Sequence, residues 1–110
     1  MDISRLQNIL KERFLEEDIT KGPFFLLTVL LAEIGELADA IKEHRLETIE
    51  EELADSLFTL LCLGNLYDIN IENMINRKYI LRTDEDIKKS WRKDAPIKEI
   101  QGFIENLKHK

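Results

Sequence analysis

Residues 51–66 read EELADSLFTLLCLGNL, and within them Leu57-Phe58-Thr59-Leu60-Leu61-Cys62-Leu63 is apolar nearly all round a helical wheel. A helix at the surface of a monomer keeps a polar face. This one is therefore expected at the centre of its bundle, with a second subunit covering it. The stretch opens with acids that share its inner side. With Glu52 at zero and 100° per residue, Thr59, Ser56, Leu63 and Leu66 fall within about 40°, and Asp55 lies about 60° away between Cys62 and Leu66.

The preceding helix repeats the pattern. With Glu33 at zero, Val29 and Ala40 fall within about 40° on one side, and Leu26 and Leu37 on the other. Glu36 stands about 60° away, at the edge of the apolar stripe. Residues three apart on a helix are surface neighbours, so Glu33 and Glu36 aim at one volume. The connection Arg45-Leu46-Glu47-Thr48 is short, and it makes the two helices antiparallel neighbours, the first from about Phe24 to His44 and the second from about Ile49 to Tyr67, with Glu47 or Thr48 as its cap.

Outside this pair, Asp2 or Ser4 can cap a first helix through Ile3, Leu6, Leu10 and Phe14, ending near Glu17. The break Asp18-Ile19-Thr20-Lys21-Gly22-Pro23 follows, because Pro23 disfavours helix at Gly22 and suits a helix start. Asn70 can cap a fourth helix through Ile71, Met74, Ile75 and Tyr79, ending between Leu81 and Asp84. Glu85 to Lys93 adds a turn or two around Trp91. Ile97, Ile100, Phe103, Ile104 and Leu107 form the stripe of a last amphipathic helix. The fold class is all-α: an antiparallel bundle of four main helices over residues 1–82 with a helical extension over 83–110, completed by oligomerisation.

Composition agrees. The 110 residues, 44% hydrophobic and 35% charged, make one small globular domain, and four glycines with two prolines are few for a sheet protein. No run approaches the roughly 18 apolar residues of a membrane span, and Met1-Asp2-Ile3-Ser4-Arg5 is not a signal peptide, so a cytoplasmic location away from membranes is expected. Cys62 alone can form neither an internal disulfide nor a thiolate zinc site. The net charge of −6 is concentrated: from Ala32 to Asp55 nine acids face only Lys42 and Arg45. Such a block argues against a nucleic-acid surface and asks which cation it serves.

Glu33 and Glu36 on one helix and Glu52 and Asp55 on its neighbour should converge in a partly dry site. Ionised and unpaired, that cluster is strongly unfavourable, and no base on those helices shares the face. A hard divalent cation resolves this, and oxygen ligands suit Mg²⁺ or Mn²⁺. Mg²⁺ is commonly shared between carboxylates and substrate phosphates, which points to phosphoanhydride hydrolysis.

At Leu31-Ala-Glu-Ile-Gly-Glu-Leu-Ala-Asp-Ala-Ile41 followed by Glu51-Glu-Leu-Ala-Asp55, the sequence resembles the MazG-like all-α nucleoside triphosphate pyrophosphohydrolases. Their signature, Glu-x-x-Glu, a spacer and Glu-x-x-Asp, reads here Glu33-Ile-Gly-Glu36, fifteen residues, Glu52-Leu-Ala-Asp55. The similarity runs from the first helix to about Tyr79. It implies Mg²⁺-dependent hydrolysis of a nucleoside triphosphate to the monophosphate and pyrophosphate. It also implies a homodimer or homotetramer, with Glu33, Glu36, Glu52 and Asp55 as metal ligands and catalytic groups. Lys78 matches a phosphate-binding base.

Other candidates carry competing explanations. Lys78 and Arg82 share a face if the fourth helix continues, and would clamp phosphates or simply be solvated. Asn65 lies near the carboxylate face, for contact with sugar or base or for an interhelical hydrogen bond. Phe24 and Phe25 offer stacking, with core packing the favoured use. Lys11, Arg13 and Lys21 could reach an anion, with surface solvation the better reading. Cys62 reads as a small buried apolar group, Trp91 as an anchor for the tail, and His44 and His109 have no assigned role. The alternative function is a non-catalytic bundle that binds nucleotide or a partner protein for regulation.

Overall fold

The computed structural model describes residues 1–90 and 96–108. Trp91 and His109 lie outside them. The described residues are helical throughout, without a strand: α1 (Ile3–Lys21), α2 (Pro23–Lys42), α3 (Leu46–Leu66), α4 (Ile71–Ile75), α5 (Asp84–Ser90) and α6 (Pro96–Lys108), with a π-helical turn over Asn76–Ile80 between α4 and α5. None is long and apolar enough to cross a membrane. The chain divides into two compact units, 1–72 and 73–110.

In the first unit α2 and α3 pack most extensively against each other, and α1 lies mainly against α3. Leu10, Leu26, Leu61 and Cys62 form the buried core, flanked by Ile3, Leu6, Phe14, Leu63, Leu66 and Ile71. Phe14 meets Phe58 edge to face, with centroids 5.3 Å apart and rings at 87°.

The joints have clear local causes. Asp2 caps α1, its carboxylate accepting the Arg5 N–H at 2.7 Å. Glu72 completes that end, accepting the Ile3 N–H at 3.0 Å and the Ser4 hydroxyl at 2.9 Å, a negative charge on the positive end of the helix dipole. α1 runs past the expected stop at Glu17 to Lys21, because Asp18, Ile19 and Thr20 do not break a helix by themselves. Gly22 does, at φ 90°, and Pro23 starts α2 immediately.

α2 ends at Lys42 in a Schellman turn: the Arg45 N–H donates to the Ala40 carbonyl at 3.0 Å and the His44 N–H to Ile41 at 3.2 Å, with His44 left-handed at φ 57°. α3 ends the same way, the Ile69 N–H reaching Gly64 and the Asp68 N–H reaching Asn65, with Asp68 at φ 53°. Neither left-handed position is a glycine. α3 starts at Leu46, earlier than expected, with Arg45 at its N-cap and no side-chain cap, so neither Glu47 nor Thr48 caps it. Only Glu43, His44 and Arg45 separate α2 from α3.

A polar clasp missed by periodicity locks α1 to the far end of α3. Gln7, only 4% exposed, donates to the Ile69 carbonyl at 2.7 Å and accepts the Ile71 N–H at 3.3 Å. Asn65, also buried, donates to the Gln7 carbonyl at 3.0 Å. Gly64 makes room: a Cβ there would stand 2.8 Å from Ile71 Cδ1 and 3.0 Å from Gln7 Nε2.

α4, whose first two residues belong to the first unit, passes directly into the π-helical turn. Thr83 accepts the Asp86 N–H at 3.2 Å at the start of α5, and Arg82 donates to the Asp86 carbonyl at 2.9 Å. α6 leaves Ile100, Phe103 and Ile104 exposed.

Gln7→Leu keeps the volume but strips partners from the Ile69 carbonyl and the Ile71 N–H. The loss should be about 2 kcal/mol or more, read in a thermal melt as a midpoint lowered by roughly 10 °C.

Candidate functional site

Six helical residues, 37–42, follow Glu36 in α2, and six, 46–51, precede Glu52 in α3, on either side of a three-residue joint. Antiparallel packing therefore sets Glu36 and Glu52 at the same level, about 9 Å along the helices from the bend at 1.5 Å per residue. Glu33 stands one turn further on α2. One carboxylate oxygen each from Glu33, Glu36 and Glu52 lies within 4.8 Å of the others.

The three acids differ in exposure. Glu52 is 7% exposed, Glu33 is half-buried and Glu36 is open to solvent. Glu33 Oε2 and Glu52 Oε2 are both buried, and neither has a hydrogen-bond partner among the described residues. The Ser56 hydroxyl, one turn beyond Glu52, is in the same condition. Of the two bases between Glu36 and Glu52, Arg45 pairs with Glu43 at 2.8 Å instead.

Electrostatics follow from this crowding. The Glu52 carboxyl is pushed from its ordinary 4.5 up to about 8, first by sharing a hydrogen bond with Glu33, then by burial, then by contact with Glu36 and the negative charge of both neighbours. Acidic oxygens this close, two of them buried and unpartnered, suit a hard cation that prefers oxygen. The donor set fits a divalent metal.

Asp55 departs from the expected four-acid convergence. It is exposed and lies outside the group of three, although its backbone carbonyl accepts the Thr59 hydroxyl at 3.0 Å. Its 60° offset on the wheel puts it at the edge of the inner face, and here the edge is wet. Glu36 has the same offset on α2 and does reach the cluster. Asn65 makes the interhelical hydrogen bond, its amide committed to Gln7. Lys78 and Arg82 belong to the second unit. Lys78 is exposed with its ammonium 5.5 Å from the Tyr79 ring centre, and Arg82 donates to the Asp86 carbonyl of α5. Phe24 and Phe25 are exposed rather than packed into a core, and Lys21 lies over the Phe25 ring at 5.3 Å. Lys11 pairs with Asp68 at 3.4 Å.

Beyond geometry, residues 22–85 match the family model of the MazG nucleotide pyrophosphohydrolase domain. The match begins at the Gly22 joint and takes in α2, α3 and every acid of the cluster, together with Lys78 and Arg82. No curated protein matches the chain.

Between pH 4.5 and 8 the folded chain keeps a proton on Glu52 that the unfolded chain has released, so metal-free stability should fall as pH rises through that window. Melts at pH 5 and pH 8 in a chelator check the sign. Glu52→Gln, which carries no charge to desolvate, should flatten the slope and melt higher than the parent at pH 8.

Proposed function

We propose that this chain, which belongs to the family of MazG nucleotide pyrophosphohydrolase domains, is a magnesium-dependent hydrolase that converts a nucleoside triphosphate and water to the monophosphate and pyrophosphate. The observation that carries the reading is the pair of buried, unpartnered oxygens on Glu33 and Glu52 within a triad of acids. Groups left in that state are costly unless a ligand satisfies them.

Glu33, Glu36 and Glu52 would hold the ion, Mg²⁺ or Mn²⁺, with Asp55 as a fourth carboxylate. When bound, the metal supplies positive charge that offsets the phosphates and makes a coordinated water more acidic. The work left to the chain is positional. Attack on the α-phosphorus breaks its bond to the bridging oxygen and releases pyrophosphate, and one of the four carboxylates takes the proton of the attacking water. Lys78 and Arg82 would supply positive charge to the phosphates. We assign Asn65 to the α1–α3 clasp rather than to substrate.

The same reading includes assembly as a homodimer or homotetramer and a role in the cytoplasm, clearing unwanted nucleotides, with residues 83–110 as an extension to the catalytic bundle. Leu27, Leu31 and Ile34 on α2 and Leu53, Leu57 and Leu60 on α3 are exposed at four- and three-residue steps, two apolar stripes on adjoining helices. A second copy of the chain covers such a face economically, since the all-round apolar character of α3 is otherwise left in water.

In the purified chain, Glu36→Gln should abolish pyrophosphate release from nucleoside triphosphates with Mg²⁺ while leaving the helical circular dichroism unchanged. Retained turnover would mean that the acids do not form the site. A panel of triphosphates with Mg²⁺ or Mn²⁺ tests the non-catalytic reading, which requires binding without turnover. Leu31→Lys combined with Leu57→Lys should convert the assembly to monomers in light scattering; an unchanged mass removes the stripes from the interface.

A further inference from the structure

A cleft of about 250 Å³ opens between α1, α2 and α3, walled by Phe14, Phe25, Phe58, Leu26 and Val29. It lies beside the acid triad, since Val29 precedes Glu33 by one turn of α2, about 6 Å along the axis. In a nucleotide the base is separated from the α-phosphate by the sugar alone. The cleft is thus within reach of the base of a triphosphate held at the acids.

The polar groups of the cleft are few and mostly committed. The Thr59 hydroxyl donates to the Asp55 carbonyl at 3.0 Å. The Cys62 thiol, its pKa pushed up to about 12 by burial and by the neighbouring Asp18 carboxylate, stays protonated. Lys21 sits over the Phe25 ring. Glu17 is exposed. Asp18 is half-buried and lines the cleft, where its carboxylate offers acceptors. Flat aromatic walls favour a planar ring, and an ionised carboxylate accepts hydrogen bonds without donating any.

Resting on the hydrolase reading above, we infer that Asp18 is a specificity-determining residue: the cleft takes the nucleobase, and the Asp18 carboxylate selects bases whose edge carries an exocyclic amino group over uracil and thymine. Cytosine, adenine and guanine each offer N–H donors from an amino group. Uracil and thymine flank their single ring N–H with two carbonyl oxygens, which a carboxylate repels. A site built around a donor on the ligand disfavours the analogue that lacks it, because the half-buried acceptor then loses its partner.

Two measurements on the full chain with Mg²⁺ test this. Pyrophosphate release is compared for CTP and UTP as kcat/KM, and CMP and UMP are titrated calorimetrically, a readout that needs no turnover. The cytosine nucleotides should be favoured roughly tenfold or more in both. Asp18→Asn, whose amide both donates and accepts, should bring the ratio toward parity with the helical signal intact, and Asp18→Ala should lower cytosine binding without lowering that of UMP. Equal handling of CTP and UTP by the parent, or an unchanged ratio in Asp18→Asn, overturns the inference while leaving the hydrolase reading standing. CMP preferred over UMP with no triphosphate cleaved supports the inference and overturns the hydrolase reading.

Discussion

Like charge held together in a partly dry groove is the constraint on which this structure turns. Glu33, Glu36 and Glu52 bring carboxylate oxygens within 4.8 Å of one another, and two of those side chains have a buried oxygen without a partner. Nothing in local helix propensity asks for this, and a bundle chosen only for stability would place apolar side chains there. The hydrophobic seam of α2 and α3 must outweigh the repulsion. It is helped by α1, which buries Leu10 against Leu61 and Cys62 and fastens the far end of α3 through Gln7.

Much of this arrangement could be read from periodicity. The wheel phases of Glu33 and Glu52, at the centre of their stripes, correspond to side chains at least half-buried. The acids 60° off centre were harder, because residues at the edge of a stripe are assigned to core or solvent by how two helices cross, which no single wheel contains. Glu36 falls on the near side of that edge and Asp55 on the wet side. The same reasoning explains α3. Its apolar circumference was visible in the sequence, yet only the side bearing Leu61 and Cys62 is buried within the chain, while Leu53, Leu57 and Leu60 stay open.

Other features had no short-range signature. Gln7 bonds to Ile69 and Ile71, and Asn65 bonds back to the Gln7 carbonyl, across more than fifty residues of sequence. Gln7 looks like surface until the fold exists, whereas the mid-helix position of Asn65 near the inner face already admitted an interhelical hydrogen bond. The two Schellman turns were hidden for a different reason: their left-handed positions hold His44 and Asp68 instead of the expected glycine. The π-helical turn after α4 comes from a shift in hydrogen-bond register that side-chain pattern does not encode. Polar residues also misled at the end of α1, where Asp18 to Lys21 continue the helix and Asp18 turns toward a cleft between three helices.

The equal count of residues on either side of the α2–α3 bend has a consequence for how such a centre can be altered. Because Glu36 and Glu52 are each addressed by their distance from the hairpin tip, the bend itself can change in composition while the acids keep their level. Lengthening one arm alone would slide one carboxylate past the other and rotate it by about 100° per added residue. Matched additions to both arms keep that level, but only additions close to whole turns, about seven residues to each arm, also return the acids to the inner face, so the hairpin tolerates change in length by such steps alone.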